Sequence, residues 1–193
     1  MEHPHDLQEI FSAYLSLFPQ ETERQRSFRE FIAHTPFEAL YHRKNFNGHI
    51  TASAFIVGPD HTQMLLIRHK RLERWLQPGG HVDYTDASIL AAAFRETLEE
   101  TNIDERDLEW VSPSSRLNIP ADIDSHVIPE NELKQEKEHI HHDFRFLFRY
   151  RGEKTVRINP AEVTHYEWQG MEALSVNPEF ALVVEKIRFF LPR

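Results

Sequence analysis

Near the N-terminus apolar residues recur every three or four positions. Leu7, Ile10, Phe11, Tyr14, Leu15 and Phe18 share one side of a helix that Pro19 ends. The charged stretch ETERQRSFREFIAHT, residues 21–35, predicts a second helix. Together they make a helical segment over residues 1–46, expected to cover one side of the downstream domain, with a lid or a dimer element as the alternatives. The pattern then changes. HITASAFIV (49–57), GPDHTQ (58–63) and MLLIRHK (64–70) read as strand, turn and strand, because β-branched and aliphatic runs are broken by Gly58, Pro59 and Asp60. A glycine turn at Gly79 and Gly80 precedes a helix expected from about Asp86 to Thr101. Further strands are expected at DIDSHVI (122–128), HHDFRFLFRY (141–150), TVRIN (155–159) and EVTHYEW (162–168). A last helix, PEFALVVEKIRFFL (178–191), opens with proline, which suits an N-terminal position. Strands mixed with helices in this order predict an α/β or α+β sandwich over residues 47–193.

Composition narrows the function classes. A chain of 193 residues with 40% hydrophobic residues and fourteen phenylalanines has material for one folded core. No apolar run approaches the roughly 20 residues that span a bilayer, and MEHPHDLQEI lacks the basic start and apolar stretch of a secretion signal. The absence of cysteine excludes disulfides and thiolate metal sites, so a cytoplasmic location is expected. A net charge of −9 argues against nonspecific nucleic-acid binding, which depends on Lys and Arg neutralising phosphates. Small anionic ligands stay open to it where a cation receives them.

The helix after the glycines carries the candidate chemistry. On a helical wheel Leu90, Phe94 and Leu98, supported by Ala87 and Ala91, make an apolar stripe expected to face the core. Glu96, Glu99 and Glu100 fall roughly opposite. Like charges three and four residues apart destabilise a helix by about 0.2–0.5 kcal/mol per pair, so such a triad serves either as a solvated face or as a cation site. Pro78, Gly79 and Gly80 just upstream favour the second use. Glycine allows close backbone approach, and a carbonyl there, at Gly80, can join the carboxylates around magnesium or manganese, which prefer oxygen ligands.

Gly80, Asp86, Arg95, Glu96, Glu99, Glu100 and Ile103 resemble the Nudix box: Gly, five residues, Glu, seven residues, then Arg-Glu-apolar-x-Glu-Glu-x-Gly-apolar. RETLEET (95–101) carries the likeness. Asp86 stands where Glu is usual, the spacing to Arg95 is one residue longer, Thr97 takes an apolar position and Asn102 replaces Gly. Asp86 is therefore read as a helix cap or a partner of Arg95, and Asn102 as a residue that tolerates the left-handed conformation after a helix. The resemblance extends over about residues 49–191. It implies a Nudix-type α/β/α sandwich with a mixed sheet. It also implies hydrolysis of a diphosphate linkage in a nucleoside diphosphate derivative, with Mg2+ or Mn2+. Glu99 and Glu100 would be principal metal ligands, Glu96 a further ligand or the base, and Arg95 the residue that orients the carboxylates. A nonenzymatic Nudix module that binds a nucleotide-type ligand and regulates a partner is the alternative.

Two further groups stand out. Asp122, Asp124 and His126 share one strand face by the two-residue period, as do His139, His141 and Asp143, while Phe144, Phe146, Phe148 and Tyr150 share the opposite face. If the strands pair across ENELKQEKE (130–138), six polar side chains converge. They would form a solvated sheet face, part of a substrate pocket or a separate zinc site. Arg68, Lys70, Arg71 and Arg74 precede the glycine turn. Arg68 and Arg74, with His139, His141 and Asp143, are the expected substrate contacts. The expected partner is a small nucleotide-type molecule, with neither nucleic acid nor membrane, and a homodimer is one arrangement open to the chain.

Overall fold

The computed structural model describes residues 2–191 except 115, 133, 134 and 154. In chain order it places helices α1 (Pro4–Leu17), α2 (Arg26–His34) and α3 (Phe37–Leu40) before strands β1 (His49–Val57), β2 (Gln63–His69), β3 (Arg74–Leu76) and β4 (Gly79–His81). Helix α4 (Ile89–Thr101) comes next, then β5 (Leu108–Trp110), β6 (Asp122–Ile128), β7 (His139–Tyr150) and β8 (Val163–Gly170), and helices α5 (Met171–Ser175) and α6 (Ala181–Phe190).

β1 is buried along its whole length, as expected for an aliphatic strand covered on both faces. One edge runs parallel to β7, from His49 opposite His141 to Val57 opposite Arg149. The other edge pairs antiparallel with β4 and, at Val57, with β2. β2 continues into β3 and β8, and β7 into β5 and β6. Among the described residues the eight strands form a single mixed sheet. Ile50, Ala52, Ala54 and Ile56 of β1 face the same layer as Phe144, Phe146 and Phe148 of β7, against α4 and the N-terminal helices. Phe55, Val57 and Leu147 face the other layer, against Val183, Val184 and Ile187 of α6. The result is the expected α/β/α sandwich. No helix among the described residues is long and apolar enough to cross a membrane.

The N-terminal helices share the sheet's core. Leu7, Ile10, Phe11, Tyr14, Phe28 and Phe31 belong to the cluster that contains Phe144 and Phe146. Phe28 meets Phe11 and Phe144 edge-on, at centroid separations of 5.1 and 5.3 Å. As the sequence predicts, α1 stops at Leu17 and Pro19 opens a short 3-10 turn. A buried ion cluster adds a polar tie between both ends of the chain and β6. Asp122 accepts from Arg24 at 2.9 Å, from Arg145 at 3.2 Å and from Lys186 of α6, while Glu21 pairs with Lys186 at 2.6 Å and Arg24 at 2.8 Å. Burial alone would raise the Asp122 carboxyl, but these three cations outweigh it and hold the group far below the usual carboxylate range.

Several expectations need correction. TVRIN is not a strand: it runs over the end of α4, where the Arg157 and Asn159 N–H groups donate to the Thr101 and Glu100 carbonyls at 3.2 and 2.9 Å. Its backbone donors satisfy helix carbonyls that would otherwise lack partners. α6 begins at Ala181, so Pro178 lies in the preceding turn. α4 begins at Ile89, capped by Ser88, whose Oγ accepts from the Ala91 N–H at 3.0 Å. In the stretch 130–138, Asn131 and Glu136 form an isolated bridge, and Leu133 and Lys134 lie outside the described residues.

Candidate active site

Helix α4 is rotated relative to the wheel reading. Its buried positions are Ile89, Ala92, Ala93, Thr97, Glu100 and Thr101, whereas Leu98 is 47% exposed and Leu90 and Phe94 are only partly covered. Leu90 and Phe94 pack against the core on one side, Phe94 4.6 Å from the Phe148 ring, and with Leu98, Ala91 and Arg95 line a shallow groove of about 390 Å³ on the other. The physical reason is size. Ala92, Ala93 and Thr97 let the helix axis approach the sheet closely, and the Thr97 hydroxyl is satisfied within the helix by donating to the Ala93 carbonyl at 2.8 Å. A larger apolar face would hold the helix farther away. Close approach brings carboxylates, rather than leucines, against the glycine turn.

The turn is shaped to receive them. The Gly79 N–H donates to Glu100 Oε2 at 2.9 Å, and a Cβ on Gly80 would lie 2.6 Å from the Glu96 carboxylate. A Cβ on Gly79 would come within 2.7 Å of the Ala52 carbonyl of β1. Glycine is therefore needed twice, once for sheet packing and once to leave space for a carboxylate. Arg95 holds the arrangement from the outer side. Its Nε and Nη2 donate to Asp86 at 3.0 and 2.9 Å, Nη2 to the His81 carbonyl at 2.8 Å, and Nη1 to Glu96 at 2.9 Å and Glu99 at 3.3 Å. Asp86 is thus the partner of Arg95 and not the helix cap. Asn102 takes the left-handed conformation at φ 53° and closes the helix through its N–H to the Leu98 carbonyl.

Electrostatics separate the three glutamates. Burial pushes Glu100 up to about 8, with the like charge of Glu96 adding to it and the Gly79 N–H opposing it. Burial pushes Glu96 up to about 7 against the lowering influence of Arg95. Glu99 is about half exposed. Glu162, on the loop entering β8, raises both buried carboxyls and is a fourth acid at this face. No local signal could have marked it, because it reaches the site only through the loop that caps α4. The donor set of oxygens around a glycine-lined space, with two carboxyls that burial disfavours as anions, fits a hard divalent cation.

The other expected site residues divide. Asp143 is buried, and its oxygens accept from Thr51 at 3.1 Å, Ser53 at 2.7 Å and Arg145 at 3.0 Å. These bonds tie β7 to β1, a structural role beyond the substrate contact expected of it. Arg74 is ion-paired to Glu179, and neither Arg68 nor Arg74 makes a hydrogen bond or ion pair to the glutamates. His139 and His141 do converge, but with His49 and His81, two residues that local spacing does not single out. Burial pushes the His49 imidazole down to about 3, and lowers His141 further, with the neighbouring histidines adding to both.

Comparison with known proteins agrees with this architecture. The chain is 34% identical over 98 residues to the probable DHNTP pyrophosphohydrolase of Lactococcus lactis subsp. cremoris (strain MG1363), a match covering 51% of this chain and 52% of that protein. It therefore spans about half the length of that curated relative. The E. coli dihydroneopterin triphosphate pyrophosphohydrolase shares the fold, with a TM-score of 0.54 at 16% identity over 74% of this chain and 94% of that one. So does the C. elegans Ap4A hydrolase in its binary complex, with a TM-score of 0.53 at 20% identity over 73% and 93%. The family model of the NUDIX domain matches residues 48–189, from the start of the sheet to the end of α6. With that match over most of its length, the chain belongs to the Nudix family.

Proposed function

We propose that the chain hydrolyses a diphosphate linkage in a nucleoside diphosphate derivative or related organic pyrophosphate, using Mg2+ or Mn2+. The observation that carries this reading is the packing of Glu96 and Glu100 against Gly79 and Gly80, with Glu99 beside them. Glu99, Glu100 and the Gly80 carbonyl would hold the cation, with Glu96 as a further ligand or as the base. A bound divalent ion would supply neutralisation of phosphate oxygens and a more acidic water. Glu96 Oε1 is engaged by Arg95, so Oε2 is the oxygen suited to accept a proton. Glu162 is a second candidate for that role. Arg95, anchored on Asp86, keeps the carboxylates oriented.

The substrate class is small and nucleotide-like, and the cysteine-free sequence fits a reducing compartment such as the cytoplasm. Dihydroneopterin triphosphate enters as a candidate because the Lactococcus relative is named for it. The test is phosphate and nucleotide release with Mg2+ or Mn2+ from dihydroneopterin triphosphate, nucleoside triphosphates and nucleoside diphosphate derivatives. A Glu99→Gln/Glu100→Gln variant runs beside it. Turnover that disappears in the variant supports the reading. Turnover that survives there removes these ligands, and nucleotide binding without turnover in the native chain favours a binding module.

A further inference from the structure

The four histidines at the start of β1, the end of β4 and the start of β7 are a feature that diphosphate hydrolysis does not require. Strand register brings them together. His49 is the Cα partner of His141 across the parallel β1–β7 pair, His81 is the partner of Thr51 across β1–β4, and His139 lies two residues before His141 on the same face. One ring nitrogen from each of His49, His81 and His141 lies within 4.8 Å of the other two.

We propose that His49, His81 and His141 bind a divalent transition-metal ion, zinc being the best fit, at a site distinct from the glutamate face and independent of the hydrolase reading. The donor chemistry separates the two sites. An all-imidazole set suits zinc and its neighbours in the first transition row, whereas magnesium requires oxygen. Burial makes the arrangement costly without an ion. His49 is wholly buried, and neither of its ring nitrogens has a hydrogen-bond partner among the described residues; the nearby Asn45 backbone lacks hydrogen-bond geometry. Cores seldom bury a polar ring in this way when an apolar one would fill the space.

His139 extends the set. Its Nδ1–H donates to the Lys137 carbonyl at 2.7 Å, which leaves Nε2 as the bare nitrogen. Ligating histidines are characteristically fixed by such a bond from the other ring nitrogen. That bare nitrogen lies 3.2 Å from His141 Nε2, close to the roughly 3.3 Å edge of a tetrahedron with bonds of about 2.0–2.1 Å. His139 therefore stands beside His141, at the edge of the three histidines that converge. Phe46, 6.0 Å from the His139 ring, covers this end of the cluster.

The experiment is titration of the metal-stripped full chain with ZnCl2, and separately with CoCl2, in excess MgCl2 to occupy oxygen sites. One equivalent of zinc should bind, and cobalt should give the intense visible bands of tetrahedral nitrogen coordination. The Glu99→Gln/Glu100→Gln variant should bind zinc as the native chain does. His81→Ala and His141→Ala should weaken binding on the order of a hundredfold or more, with the unfolding temperature of the metal-free protein reporting that each variant is folded. Absence of stoichiometric zinc binding by the native chain overturns the proposal whatever the variants do. Zinc binding lost with the glutamates but retained in both histidine variants also overturns it. Neither readout involves turnover, so a failed hydrolase assay leaves this result standing.

Discussion

Gly80 shows how a missing side chain makes room for chemistry. A methyl there would meet the end of Glu96 rather than backbone, so the chain can adjust at small cost in stability. Gly80→Ala is expected to leave the unfolding temperature nearly unchanged while displacing the Glu96 carboxylate, lowering kcat/KM by about 10- to 100-fold; kinetics beside calorimetry checks both halves. Glu100→Gln should cost turnover on the order of a hundredfold or more, since it removes one anionic ligand. The same carboxyls set a pH dependence. Their folded values near 7 and 8 lie above the ordinary 4.5, so the folded, metal-free chain retains protons that the unfolded chain releases. Their contribution to stability is greatest below about pH 4.5 and declines as pH rises through 7 and 8. Unfolding temperatures measured in chelator should show that decline, and Mg2+ should restore stability more at pH 8 than at pH 6, where protons compete for the ligands.

At the level of helices and strands, the legible parts are those written in contiguous residues. β1 and β6 carry the boundaries that alternating and aliphatic runs predict, and Glu96, Glu99, Glu100, Arg95 and Gly80 fall within one turn and one helix. The three-residue strands β3, β4 and β5 escape the pattern because they are too short for a period to register. The face of α4 misleads for a different reason. Hydrophobicity ranks Leu98 above Ala93 and Thr97, but proximity to the sheet rewards small volume, and Leu98 is left outside. His49, His81 and Glu162 could not be placed because strand register and loop packing, not local spacing, bring them to their neighbours. The N-terminal helices obey the simpler rule of apolar burial. Phe28→Ala should therefore destabilise by about 3–5 kcal/mol, read as a lower denaturant midpoint with the same slope.

Across the whole molecule, the Asp122 cluster joins α6, the turn after α1 and two neighbouring strands through ion pairs. Lys186→Met would leave Glu21 and Asp122 short of a cation in a buried setting, at a cost of about 3 kcal/mol. Adding Glu21→Gln should recover part of that loss, measurable as a coupling energy by denaturant unfolding. The pairing of β1 with β7 has a consequence for biosynthesis. Thr51 and Asp143 meet although 92 positions apart, so a nascent chain exposes the β1 edge until the second half of the sequence has left the ribosome. During that interval a nine-residue strand built for full burial stands open to any other extended segment. Chains truncated before residue 139 should aggregate through that edge, whereas completion of β7 removes the hazard and assembles the histidine cluster in the same event.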